Sequence, residues 1–239
     1  MTAYIGTAGW AIPRTHGDRF PAGASQLERY ARVFSVAEIN SSFRQEHRSA
    51  TYARWAAITP AGFRFSVKLP KAITHERRLE NAGEPLRAFL KTARALGPKL
   101  GPILVQLPPS LEYQRDVADA FFAGLRDEHE GPVVCEPRHG SWFGDQAHAA
   151  LHRWQVGRVA ADPAVVPAAG APGGWPEPKY YRLHGAPRKY FSSYDEAALA
   201  PLGALLRACD GEAWCIFDNT AHGAAAGDAL SLLGLTGSA

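Results

Sequence analysis

A chain of 239 residues, 46% hydrophobic and 21% charged, has the composition of a packed globular protein, which excludes a disordered or fibrous one. Its net charge of +3 gives only mild whole-molecule attraction for anions, so any basic site has to be local. No run of about 18 apolar residues is present to span a bilayer, and the start, Met1-Thr-Ala-Tyr-Ile-Gly-Thr7, lacks the basic residue and apolar run of a signal peptide.

These features predict a cytoplasmic protein with no membrane partner. Cys135, Cys209 and Cys215 are odd in number and widely spaced, and two of them sit in apolar runs, which predicts buried reduced thiols. The length suits one α/β barrel of roughly 250 residues, a single domain over 1–239.

In chain order the same unit recurs: a short apolar or β-branched run, a polar turn, then a segment of helical period. Strands are expected at 4–7, 36–40, 63–69, 102–107, 133–136, 158–162, 179–184 and 213–218. Helices are expected at 26–34, 49–58, 85–96, 116–125, 145–154, 195–209 and 224–233. Between 163 and 178 the chain is rich in Pro, Gly and Ala, so the sixth helix is expected to be degenerate or missing. Eight alternating units predict a parallel sheet closed into a (β/α)8 TIM-type barrel. No G-x-G-x-x-G follows any strand, so no dinucleotide cofactor is predicted.

Alternation with period two sorts the strand side chains into faces. In the third strand Phe63, Phe65, Val67 and Leu69 share an apolar face that must pack on helices, leaving Arg64, Ser66 and Lys68 inward. The same rule turns Glu38, Asn40, Gln106, Glu136, Asp162, Arg182, His184 and Asp218 inward near the carboxyl ends of their strands, where barrels hold their sites. Pro137 cannot donate to a ladder, which makes Glu136 the last ladder residue and puts Arg138 and His139 on the rim. The basic loop 70–79, with Lys71, His75, Arg77 and Arg78, leaves from the same end and is expected to act as a lid.

Several phrases in order resemble the domain of unknown function 72 family, the YecE-like proteins. They are Ile5-Gly-Thr-Ala-Gly-Trp10, Glu38-Ile-Asn-Ser-Ser-Phe43, Phe65-Ser-Val-Lys-Leu-Pro70 with Ile73-Thr-His75, and Leu96-Gly-Pro-Lys-Leu-Gly101 running into Leu104-Val-Gln-Leu-Pro-Pro109. Glu136-Pro-Arg-His-Gly-Ser-Trp142, Tyr181-Arg-Leu-His-Gly185 and Phe217-Asp-Asn-Thr220 complete the set. The resemblance implies a closed β/α barrel and no particular activity. It matches Glu38, Asn40, Lys68, His75, Gln106, Glu136, Arg138, His139, Arg182, His184 and Asn219. Arg44, Pro137 and Asp218 depart from the family pattern, Asp218 adding a carboxylate at the mouth.

The chemistry these residues suit is acid/base catalysis on a polar, anionic substrate carrying phosphate or carboxylate, by a hydrolase or lyase. Glu136, His184, Glu38 and Asp218 are the expected catalytic groups, because mixed charge away from water moves pKa values toward neutrality. Lys68, Arg138, Arg182, Gln106, Asn40, His139, His75, Asn219, Trp10 and Trp142 are the expected substrate contacts.

Three other patterns fit the same residues. A buried ion-pair network, Lys68 with Glu38 or Arg182 with Glu136, satisfies the charges without chemistry. A divalent-metal phosphodiesterase would use Glu38, Glu136, Asp162, His184 and Asp218, though Lys68, Arg138 and Arg182 repel a cation, so no metal ligand is assigned. A non-catalytic barrel would bind nucleic acid or another ligand through the basic loop.

Overall fold

The computed structural model describes residues 2–237. Its strands are β1 (Thr2–Ala8), β2 (Val36–Ile39), β3 (Arg64–Lys68), β4 (Leu100–Gln106), β5 (Val133–Glu136), β6 (Val156–Arg158), β7 (Ala160–Asp162), β8 (Gly173–Gly174), β9 (Lys179–Leu183) and β10 (Glu212–Phe217). Its α-helices are α1 (Gln26–Tyr30), α2 (Ser49–Ile58), α3 (Gly83–Ala93), α4 (Arg115–Glu128), α5 (Asp145–Arg153), α6 (Glu196–Arg207) and α7 (Ala224–Thr236). No helix among the described residues is long and apolar enough to cross a membrane.

Local sequence explains where the helices begin and which face they bury. Ser25 accepts from the Glu28 amide to start α1, and Asp195 accepts from the Ala198 amide to start α6. In α4 the buried residues Ala118, Phe121, Phe122 and Leu125 follow the i, i+3, i+4, i+7 spacing of a single stripe. The stripe of α3, Leu86, Phe89, Leu90 and Ala93, has the same spacing, and both pack on the outside of the sheet.

The strands form one mixed row, ordered β7-β9-β10-β1-β2-β3-β4-β5-β6-β8. Every pairing is parallel except β6 with the two-residue β8. This is an α/β fold around a nearly closed, barrel-like sheet. The single sixth strand expected over 158–162 is instead two pieces joined at Val159. The first, β6, pairs with β5, while the second, β7, pairs with β9 at the far end of the row. The stretch expected to lack its helix holds a 3-10 turn, Pro167–Gly170, and then β8.

Two apolar layers sandwich the sheet. The outer one, between strands and helices, takes Phe63, Phe65, Val67 and Leu69 as their alternation predicts. The inner one, inside the row, is made of Val36, Leu104, Val134, Val159, Tyr180, Trp214 and Ile216. Two residues further along the same strands stand Glu38, Gln106, Glu136, Arg182 and Asp218. Because i and i+2 share a face, the interior has an apolar floor and, one layer above it toward the carboxyl ends, a polar storey.

Val159 faces this interior, which puts Asp162 on the other face, contrary to the inward position expected for it. Asp162 is exposed, and its carboxylate accepts from the Tyr194 hydroxyl at 2.6 Å.

The floor depends on a close approach at Gly101, where an added Cβ would lie 2.3 Å from the Trp214 ring, itself 1% exposed. Gly101→Ala is therefore expected to lower stability by about 1–3 kcal/mol through overpacking, measured as an earlier midpoint of urea unfolding. An unchanged midpoint would mean that the indole has room to move.

Candidate functional site

The polar storey is organised by Arg182, which β9 delivers into the interior with no exposed surface. Its Nη2 and Nε donate to the two oxygens of Glu38 at 2.7 and 3.0 Å, its Nη1 to Glu136, and its Nη2 again to Asp218 at 3.0 Å. A planar guanidinium suits this task because its donors fan out in fixed directions toward β2, β5 and the end of β10. The Tyr180 hydroxyl, rising from the apolar floor, lies 3.0 Å from Glu38 and 2.8 Å from Ser66 Oγ, and so ties the two layers together.

His184 stands above Arg182 and is also fully buried. Its Nε2 is 2.9 Å from Glu136 and its Nδ1 is 3.0 Å from Asp218. Gly185 turns the chain immediately afterwards at φ 89°, a left-handed angle open to glycine, and a Cβ there would lie 2.6 Å from the Ser192 carbonyl oxygen. Arg138 closes the far side, pairing with Glu136 at 2.7 Å and donating to the Tyr190 hydroxyl at 3.1 Å. The Tyr190 ring lies edge-on to His184 with centroids 5.6 Å apart.

The charges fix the protonation of the two carboxylates. Burial alone would raise the Glu136 carboxyl, but Arg182, His184 and Arg138 together outweigh it and hold it well below the usual range. Asp218 is lowered in the same contest, by Arg182 and the His184 hydrogen bond against burial. Lys68 moves the other way: burial and then Arg182 pull its ammonium down to about 8, against Glu38, Asp218 and Glu136. Burial, Lys68 and Arg138 lower His75.

Over this network opens a cavity of about 760 Å³, lined by Asn40, Ser41, Phe43, Arg44, Lys68, His75, Gln106, Arg138, Tyr190, Asp218 and Thr220, among others. The cavity therefore collects Asn40, Lys68, His75, Gln106, Arg138 and Asp218 of the expected site, while Glu38, Glu136, Arg182 and His184 lie beneath its wall.

Four expected contacts lie elsewhere. Trp142 is 1% exposed and donates to the Leu111 carbonyl, packed under its loop. Trp10 packs edge-on against Trp55 and Phe65. His139 turns to its own helix start, accepting from the Ser141 amide, and Asn219 donates to Ser192 and Asp228. The basic loop does not stand over the mouth as a whole, since Lys71 pairs with Glu76 on the surface and Arg78 reaches Ser110.

Nor does either pairing expected of a purely structural network describe the whole arrangement. Arg182 does pair with Glu136, but Lys68 has no ion pair with Glu38 or with any other described residue within 4.0 Å. Among the described residues no group of three or more His, Cys, Asp or Glu side chains is placed to hold a metal ion. Arg182 occupies the space between the three carboxylates that face one another.

A model of the family described as protein of unknown function DUF72 matches residues 4–239. The chain belongs to the DUF72 family. It is similar to UPF0759 protein YecE of Escherichia coli (strain K12), 30% identical over 172 residues that make up 70% of this chain and 61% of that protein. It is also similar to UPF0759 protein YunF of Bacillus subtilis (strain 168), 26% identical over 149 residues, 59% of this chain and 52% of that one. The match thus spans less than two thirds of the length of these curated relatives.

Crystal structures of DUF72 family proteins share the fold along nearly the whole chain. One from Thermotoga maritima MSB8 has a TM-score of 0.79 at 23% identity, covering 98% of this chain and 99% of that one. One from Enterococcus faecalis V583 has a TM-score of 0.79 at 20% identity, covering 99% and 96%.

Ser41, Phe43, Tyr190 and Thr220 line the cavity without having been singled out in the sequence as contacts. Phe43 was visible inside its motif, but Tyr190 carries no periodic signal, because a loop with φ 71° at that residue puts it there.

Arg182→Met leaves buried carboxylates without their cation and is expected to cost about 3–5 kcal/mol at pH 7. The cost should shrink toward pH 4. In the parent protein the stability from Glu136 and Asp218 is complete above their unpaired values of 4.5 and 3.8 and is lost as pH falls through their lowered folded values. In the variant the Arg182 guanidinium that lowers both groups is gone while their burial stays, so protonating them costs less than in the parent. Urea unfolding of both proteins at the two pH values measures this, and an equal cost at both would contradict it.

Proposed function

We propose that the DUF72 chain is an enzyme acting on a polar, anionic substrate, bearing phosphate or carboxylate, by acid/base chemistry in the cavity at the carboxyl ends of the strands. In this proposal the chain is one β/α barrel of the eight-unit type, its sixth strand broken at Val159.

The observation that carries the proposal is the unpaired ammonium of Lys68 on the cavity wall. The nearby carboxylates are committed to Arg182, and Asp218, the one that lines the cavity, is shared between Arg182 and His184. Lys68 and Arg138, with Arg44 at the rim, leave the wall net positive, and a positive concave wall with low-dielectric sides concentrates anions. Asn40 and Gln106 offer amide groups for orienting the substrate.

Acid/base work falls to Asp218, which touches the cavity, with His184 behind it as the group that holds and moves the proton. Glu136 is 1% exposed and kept ionised, so its part is to fix His184 and Arg138 in place. Charge-assisted contacts to an anion are worth roughly 1.5–3 kcal/mol each.

Arg138→Met is accordingly expected to weaken sulfate or inorganic phosphate binding about tenfold or more. Lys91→Met on the exposed face of α3 should leave it unchanged. For sulfate, whose own charge is constant, affinity should hold at pH 7 and fall as pH rises through about 8, where Lys68 loses its proton. Calorimetry reads both effects, and an absence of sulfate and phosphate binding at this mouth would refute the proposal.

A further inference from the structure

We propose that Lys68 is the covalent catalytic residue of this site, its Nζ condensing with the carbonyl carbon of an aldehyde or ketone that also carries an anionic group. The inference rests on the anion-binding proposal above and names its substrate class.

Its basis is the setting of one amine. Lys68 is the last residue of β3, on rigid backbone, 7% exposed, and it opens onto the cavity. The Phe43 ring supports it with the centroid 4.1 Å from Nζ, and the same ring holds the His75 imidazole edge-on at 4.8 Å. The charged groups that act on it are Arg182 from β9, Glu38 from β2, Glu136 from β5 and Asp218 after β10. None of the three carboxylates pairs with it within 4.0 Å, because Arg182 engages all of them.

A lysine on an apolar face beside a fixed cation is the arrangement that releases a free amine near neutral pH and makes it nucleophilic. The lowered ammonium of Lys68 agrees with this, and the lowered His75 leaves a neutral imidazole to take its proton.

The step balances with water as the only by-product. The ammonium proton passes to His75, and the nitrogen lone pair adds to the carbonyl carbon. The displaced π pair stays on the oxygen, which takes one N–H proton from the added nitrogen to give the hydroxyl of a carbinolamine. That hydroxyl, protonated by the imidazolium, leaves as water while the C=N bond of an iminium forms. Loss of a proton from the carbon next to the iminium, taken by the His75 imidazole that has become neutral again, sends the C–H electron pair into the C=N bond and gives an enamine. Arg138 holds the substrate's anionic group.

The test is reductive trapping. The protein is incubated with pyruvate or with dihydroxyacetone phosphate, reduced with borohydride, and mapped by peptide mass spectrometry across all its lysines, with sulfate affinity measured in parallel. The expected result is a reduced adduct on Lys68 in large excess over every other lysine, suppressed by added sulfate and absent in Lys68→Arg.

Sulfate binding with no adduct on Lys68, or with adduct spread evenly over the lysines, overturns this inference and leaves the anion-binding proposal standing. Loss of both overturns both. The wild-type map alone decides the matter if the variant fails to fold.

Discussion

The site is arranged around one buried cation. Arg182 sits inside the sheet with no contact with water and holds Glu38, Glu136 and Asp218 from three directions. Taking four charges out of water costs several kcal/mol per ion unless each finds its partner in good geometry, and here every carboxylate does. The consequence reaches beyond the pairs themselves. With its carboxylates engaged, the network fixes His184 between Glu136 and Asp218, orients Arg138 through Glu136, and leaves Lys68 without a counter-ion at the cavity wall.

The strands make this affordable through layering. Each of β2, β4, β5, β9 and β10 turns an apolar residue inward first and a polar one two residues later, so Val36, Leu104, Val134, Tyr180 and Ile216 seal the floor below the charges. The division of work follows. Groups on strands, such as Glu38 and Arg182, are fixed by the ladder and packed below the wall. Groups just past the strand ends, His75, Arg138 and Tyr190, shape the opening where a ligand would enter. The DUF72 relatives from Thermotoga maritima MSB8 and Enterococcus faecalis V583 share the fold that makes this layering possible.

Much of the polar storey was legible in the sequence because alternation in a strand is a geometric necessity. Once Phe63, Phe65, Val67 and Leu69 are assigned to the outer layer, Lys68 has to face in. Glu136, Arg182 and Asp218 follow from the same rule. Asp162 failed it because the rule assumes an unbroken strand, and the break at Val159 resets the faces. Trp142, His139 and Asn219 lay in loops just past strand ends, where side-chain direction depends on local turns and caps that no period encodes. Trp142 found the Leu111 carbonyl, His139 its own helix start, and Asn219 the Asp228 carboxylate.

The sequence by itself determined the alternating α/β pattern, the apolar and polar faces of the unbroken strands, and that Glu38, Glu136, Arg182 and Asp218 must meet at one end, because these follow from the fixed periods of helix and strand. Tertiary structure alone decided which of those charges pair. Arg182 and Lys68 have the same sign and similar sequence settings, yet only Arg182 reaches all three carboxylates, because β9 passes where β2, β5 and β10 converge on it. That choice depends on distances between strands far apart in the chain, which left Lys68 without an ion pair at the cavity wall.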